Sequence, residues 1–201
     1  MQFQKGYLYH IYNQGNNRQK IFFNRENYLY FLQKMNTYIL PYGDILAWCL
    51  MPNHFHWMVY VREVETEVER FAGSGTRLGA SQRRTESQLR TFNDSIGIFL
   101  MSYTKAINKQ QKRSGKLFRE ATKAECVNCL ELDKPSFIGN KIIKPERQYP
   151  QILFEYIHQN PVKAGLAKKI TDWEFSSARD YYAGRRGQLI NKEIAKEYID
   201  I

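Results

Sequence analysis

The chain has 201 residues, 43% of them hydrophobic and 25% charged, a make-up that fits a folded domain and excludes general disorder. Lys and Arg outnumber Asp and Glu by 30 to 20, so the net charge is +10 and the pI about 9.5, which favours a polyanionic partner such as nucleic acid. No apolar run approaches the roughly 20 residues that cross a bilayer, the N-terminus lacks a signal-peptide core, and three cysteines are too few for a disulfide framework, so a cytoplasmic protein without membrane contact is expected.

Taken in chain order, YLYHIYN over 7–13 reads as a first strand, followed by the polar turn QGNNRQ. Asn24 is an N-cap candidate for a helix whose apolar stripe is Tyr28, Phe31, Leu32, Met35 and Ile39, stopped near Pro41 and Gly43. DILAWCLMPNHFHWMVYV is a β-hairpin. Residues 62–86 turn from mixed charge to Gly, Ser and Arg and are read as an excursion or loop. A second helix is expected over about 87–113, with Phe92, Ile96, Phe99, Leu100, Tyr103 and Ile107 on one stripe and Gly115 as its stop. Residues 116–127 hold a weak strand signal, and a connection of low regularity follows. PQILFEYIHQN over 150–160 makes a short helix punctuated by Pro150 and Pro161, and WEFSSARDYY packs or caps.

Strand, helix, strand, strand, helix, strand is the split βαβ plan. The expected fold is therefore an α+β, ferredoxin-like sandwich, with a central antiparallel sheet and helices on one face. One domain over 1–201 is expected, with excursions at about 62–86 and 126–147.

The chemistry centres on MPNHFHW. On a strand, His54 and His56 share one face while Phe55 and Trp57 take the other. Two neutral imidazoles side by side can hold a metal ion, but on this motif alone a solvated face or a hydrogen-bonded core detail is the commoner outcome. On the later helix Ile152, Tyr156 and Asn160 are spaced four apart, so a polar amide ends an inward stripe. Asn160 can complete a metal site, with Tyr156 one turn away, or can simply close the helix before Pro161. Tyr103 has no ligand in helical phase, because Asn108 is rotated by about 140° from it, and reads as structural. Cys126 and Cys129 form CVNC, half of a zinc spacing, with no second pair to complete it.

MPNHFHWMVYV together with FEYIHQNPVKAGLAKKITDWEFSSARDYY, and YHIYNQGNNRQKIF near the start, resembles the REP-associated tyrosine transposases, within the superfamily named for its His-hydrophobic-His motif. The resemblance leaves out 62–86 and about 126–147. It implies that His54, His56 and Asn160 ligate one divalent cation, Mg²⁺ or Mn²⁺, and that Tyr156 is the nucleophile. It further implies a transposase-like endonuclease and strand transferase that cuts single-stranded DNA near a hairpin through a covalent phosphotyrosine. Asn13, Asn17, Arg18 and Lys163, with the basic run KQQKRSGK, are candidates for gripping that DNA. Related enzymes include monomers and homodimers, in some of which the tyrosine helix serves the partner's site. A bacterial, nucleoid-associated location follows from such a substrate. The alternative is a domesticated hairpin-binding protein without catalysis; an RNA-binding sheet module is disfavoured because no RNP-type aromatic signature is present.

Overall fold

The computed structural model describes residues 1–71, 85–129 and 148–201. In chain order these form β1 (Leu8–Gln14), α1 (Arg25–Tyr38), β2 (Gly43–Met51), β3 (His54–Val61), β4 (Glu65–Phe71), β5 (Thr85–Thr91), α2 (Phe92–Gln110), β6 (Lys123–Cys126), α3 (Gln148–Lys163), α4 (Ala178–Tyr182) and α5 (Lys192–Tyr198). The main sheet runs β2-β3-β1-β6 and is antiparallel at each junction. With α1 joining β1 to β2 and α2 leading into β6, this is the ferredoxin-like split βαβ order expected of the sequence.

Alternation sorts the strand side chains into two cores. Tyr9, Ile11, Phe55, Trp57 and Val59 face α1 and α2, which lie together on that side and add Phe31, Met35, Phe99 and Tyr103. Phe31 meets Phe99 at 4.7 Å, Tyr103 at 4.9 Å and Phe55 at 5.4 Å between ring centroids. Each such fully buried side chain contributes about 1.5–3 kcal/mol, so this aromatic layer fixes the register of helices on sheet. α1 begins where the cap residue dictates: the Asn24 side chain accepts the Asn27 N–H, and Asn27 returns a bond to the backbone of Asn24.

On the opposite face α3 crosses β2 and β3 through Tyr149, Leu153, Phe154 and Ile157, packed on Leu46, Ala47, Cys49, Met51 and Met58. A bulge in β2 between Ile45 and Ala47 makes this possible, since the extra residue lets Leu46 and Ala47 both serve the α3 side. The outer edge of β2 is covered by the tail: Leu50 N–H donates to Phe175 O, Ser177 N–H to Trp48 O, and the Trp173 indole to Leu50 O. WEFSS thus closes an edge that would otherwise be open to pairing.

Three expectations change. The excursion at 62–86 holds regular structure at its described ends, because β4 and β5 pair as an antiparallel ribbon from Glu65↔Thr91 to Phe71↔Thr85; 72–84 lie outside the described residues. The second helix starts at Phe92, not near 87, since its preceding residues are spent in that ribbon and Thr91 caps the helix by accepting the Asp94 N–H. The third helix does not stop before Pro161 but runs through it to Lys163. Its stop is Gly165, at φ +69°, where Gly165 N–H donates to Val162 O and Leu166 N–H to Pro161 O. The expected excursion at 126–147 falls mostly on 130–147, outside the described residues. Cys126 and Cys129 are disulfide-bonded, so CVNC is a covalent clasp at the end of β6. No helix among the described residues is long and apolar enough to cross a membrane.

Candidate active site

The floor of the site is the face of β1 and β3 that carries His10, Tyr12, His54 and His56. The β1–β3 register pairs Tyr12 with His56 and Gln14 with His54. The two β3 imidazoles stand on one face, as strand alternation requires, with ring centroids 5.1 Å apart. Each has Nδ1 engaged: His54 Nδ1 lies 2.6 Å from Asn53 Oδ1, and His56 Nδ1 lies 2.9 Å from His10 Nε2. An amide oxygen only accepts, so His54 carries its proton on Nδ1 and has its lone pair on Nε2.

α3 brings the second set. The stripe that packs into the core is Tyr149, Leu153, Phe154 and Ile157, while Ile152, Tyr156 and Asn160 lie at its border, half-buried. That border position keeps a phenol and an amide near the sheet yet open to a ligand. Tyr156 stands edge-on to His56 at 5.4 Å and to His10 at 6.3 Å between centroids. Asn160 Nδ2 donates to Tyr156 O at 2.8 Å, and its amide raises His54 and lowers Tyr156 against the opposite pull of burial on each. His54, His56, Tyr156 and Asn160 are therefore brought together. Lys163, one turn on and exposed, holds its ammonium 5.5 Å from the Tyr156 ring centroid. Tyr103 is elsewhere, fully buried against α1, with its hydroxyl donating to Ile21 O at 2.8 Å.

Between sheet and helix lies a pocket of about 220 Å³ whose wall includes Tyr12, Asn13, His54, His56, Arg119 and Tyr156, with Lys123 at its rim. Asn13 is buried: its Nδ2 donates to Arg119 O and Thr122 Oγ1, and its Oδ1 accepts the Gln14 N–H. Its polar atoms thus tie β1 to the segment before β6 and shape the pocket rather than face solvent. Asn17 and Arg18 are exposed in a tight turn, both with positive φ, 51° and 58°. That turn begins at Gly15, where any Cβ would collide with the carbonyl of Gln19. It is braced by the basic run, since Arg113 donates to Gln19 Oε1 and Gln19 to the carbonyls of Lys116 and Leu117.

Several of these residues lay beyond sequence reasoning. Nothing local marks His10, Asn53, Tyr12 or Glu125, although His10 and Tyr12 lie in strand phase on the first strand. Tyr12 donates to Glu125 Oε1 at 2.6 Å across the β1–β6 pair. Arg119 and Lys123 carried no signal until β6 took its place beside β1.

Burial sets the protonation states. It lowers His56 well below the usual imidazole range, helped by His10 and His54, and lowers His10 to about 3. It also lowers His54, against a bond to Asn160 that raises it. All three rings are neutral at pH 7, the state in which imidazole binds a cation. Burial raises Tyr156, with the Glu125 charge adding to the rise and the Asn160 bond opposing it, so the resting group is a phenol.

Among the described residues no group of three or more His, Cys, Asp or Glu is placed to hold a metal ion. Two neutral imidazoles with their Nδ1 atoms tied back, plus the Asn160 amide, nevertheless suit a borderline divalent ion and leave coordination positions for oxygen ligands. The donor set fits the expected cation.

Sheet order, His-Phe-His strand and a tyrosine helix laid over it define a ferredoxin-like α+β protein with a sheet-borne polar site. No family model and no curated protein matches the chain. Among solved structures it is similar to one of a REP-associated tyrosine transposase bound to a REP hairpin, with 17% identity and a TM-score of 0.56, over 95% of this chain and 92% of that chain. The fold is that of a REP-associated tyrosine transposase.

Proposed function

We propose that the chain, working as one unit over 1–201, is a single-stranded DNA endonuclease and strand transferase that acts near a hairpin through a phosphotyrosine at Tyr156. The observation that carries this reading is the meeting of Tyr156, 5.4 Å from the His56 ring centroid, with His54 and His56 on one sheet face, and with Asn160 one helical turn on, its Nδ2 donating to Tyr156 O. The solved neighbour with the same fold is bound to a REP hairpin, which supports a nucleic-acid hairpin as the partner of the basic surface here.

His54, His56 and Asn160 would hold the divalent cation, Mg²⁺ or Mn²⁺, which when bound would neutralise charge on a nonbridging oxygen of the scissile phosphate and orient it for in-line attack. Tyr156 Oη forms the bond to phosphorus while the bond to the 3′ oxygen breaks; the phenol gives up its proton to water and the departing oxygen gains one from water. The Asn160 bond favours the phenolate, and the Lys163 ammonium beside the ring adds positive charge where negative charge develops. Because the phosphodiester energy stays in the covalent link, a second strand can be joined without ATP, which is the chemistry of transposition or recombination. Tyr156 stands over histidines of its own chain, which supports a site completed within one chain. A cytoplasmic, nucleoid-bound role fits such a substrate.

The test is incubation with end-labelled single-stranded hairpin DNA and Mn²⁺ followed by denaturing electrophoresis. Wild type should give a protein–DNA adduct whose peptide carries the label on Tyr156, and Tyr156→Phe should give none. Tight hairpin binding with no adduct from wild type would instead leave a non-catalytic hairpin-binding protein.

A further inference from the structure

His10 lies at the centre of β1 with no exposure to solvent, and no step of the proposed chemistry uses it. In the β1–β3 register it faces Met58, one diagonal step from His56 on the same side of the sheet, and its Nε2 reaches His56 Nδ1 at 2.9 Å. The rings are nearly parallel, 21° apart, and Tyr12 stacks on His10 at 4.6 Å. Packing therefore fixes the angle at which His10 meets its neighbour.

Two neutral imidazoles can share such a bond in only two ways. Either His56 carries its proton on Nδ1 and donates to His10, or His10 donates and the His56 proton moves to Nε2. Only the first arrangement leaves a lone pair on His56 Nε2 for a cation, and it is the same tautomer that Asn53 imposes on His54. We propose that His10 is a positioning residue that holds His56 as the Nδ1–H tautomer, aimed for metal binding through Nε2. The inference rests on the metal-site reading of His54, His56 and Asn160 and extends it inward by one residue. With both rings buried, water cannot stand in for the missing acceptor.

The tautomer is read directly by long-range ¹H–¹⁵N spectra of the metal-free wild type, at pH 7.5 with labelled histidine. His56 should be protonated on Nδ1 and His10 unprotonated on Nε2; the reverse pattern overturns the proposal. Mn²⁺ binding, followed by electron paramagnetic resonance of the free ion, supplies the second readout. His10→Phe, which keeps the ring volume but removes the acceptor, should weaken binding about 10- to 100-fold. His10→Gln, whose amide oxygen can accept the same proton, should recover part of that loss. Undiminished Mn²⁺ affinity in a natively folded His10→Phe protein overturns the proposal. If the wild type binds no Mn²⁺, the metal-site reading fails by itself, and the tautomer spectra still decide the role of His10.

Discussion

His158 Nε2 lies 2.7 Å from Ser177 Oγ, a fully buried bond that ties the helix carrying Tyr156 to the segment closing the edge of β2. Ser177 also accepts the Trp48 N–H at 2.9 Å, so one hydroxyl links helix, tail and strand. Ser177→Ala should therefore cost about 1–3 kcal/mol by leaving a buried imidazole nitrogen and a backbone N–H unpaired. Urea unfolding measures it; an unchanged midpoint would mean that α3 is held by apolar packing alone.

The two tyrosines with rival claims separate by stability as well as by chemistry. Tyr103→Phe removes a buried donor from Ile21 O and should destabilise by about 0.5–1.5 kcal/mol while leaving cleavage intact. Tyr156→Phe, at a half-buried border, should unfold near the wild-type midpoint and lose the covalent adduct. Loss of the adduct in Tyr103→Phe would transfer the nucleophile's role.

Acid should destabilise the protein through its buried histidines. Burial lowers His10 and His158 to about 3 from an ordinary 6.5. Between those values the unfolded chain holds protons that the folded chain does not. Their neutral burial is thus fully tolerated above pH 6.5, and stability falls as pH drops from there toward 3. At pH 5 the loss is roughly 2 kcal/mol per histidine, given about 1.4 kcal/mol per pH unit. Urea titrations at pH 7.5 and 5 check this: equal stabilities would mean that burial lowers neither ring, and about half the loss would mean that it lowers only one.

Arg18 trades conformational ease for position. It is exposed, has a left-handed φ of 58°, and makes no ion pair among the described residues, while its N–H bonds Gly15 O and its carbonyl accepts from Asn53 Nδ2. Arg18→Gly should relieve the backbone and change stability by no more than about 1 kcal/mol, upward. If the side chain grips a phosphate, the same change should weaken hairpin binding and reduce the slope of log K against log salt by about one. A salt slope equal to wild type would remove Arg18 from the DNA surface.

Much of the fold was legible in local pattern. Alternation in MPNHFHWMVYV is enough to put His54 and His56 on one face and Phe55 and Trp57 on the other, because side-chain direction on a strand depends only on its own period. Asn24 marked the start of α1 for an equally local reason, as its side chain bonds a backbone group three residues on. Helix phase alone set Tyr103 among core residues. Pro161 reads locally as the stop of α3, whereas in the last turn it lacks only one donor and the chain turns at Gly165. The start of α2 is not legible locally, because residues 85–91 pair as a strand with 65–71, a pairing that no local window contains.

The sequence by itself determined which residue types were available and which face of each element they occupy, since both follow from bonds and periods within a few residues. Only the tertiary structure decided that His10 meets His56 across 46 positions, and that Tyr156 and Asn160 come to rest at the border of the helix–sheet contact. Those contacts depend on strand register, on the β2 bulge and on how α3 is rotated over the sheet. These are set by the packing of the whole chain, because a nitrogen 2.9 Å from another is placed by every element that holds the two strands in line.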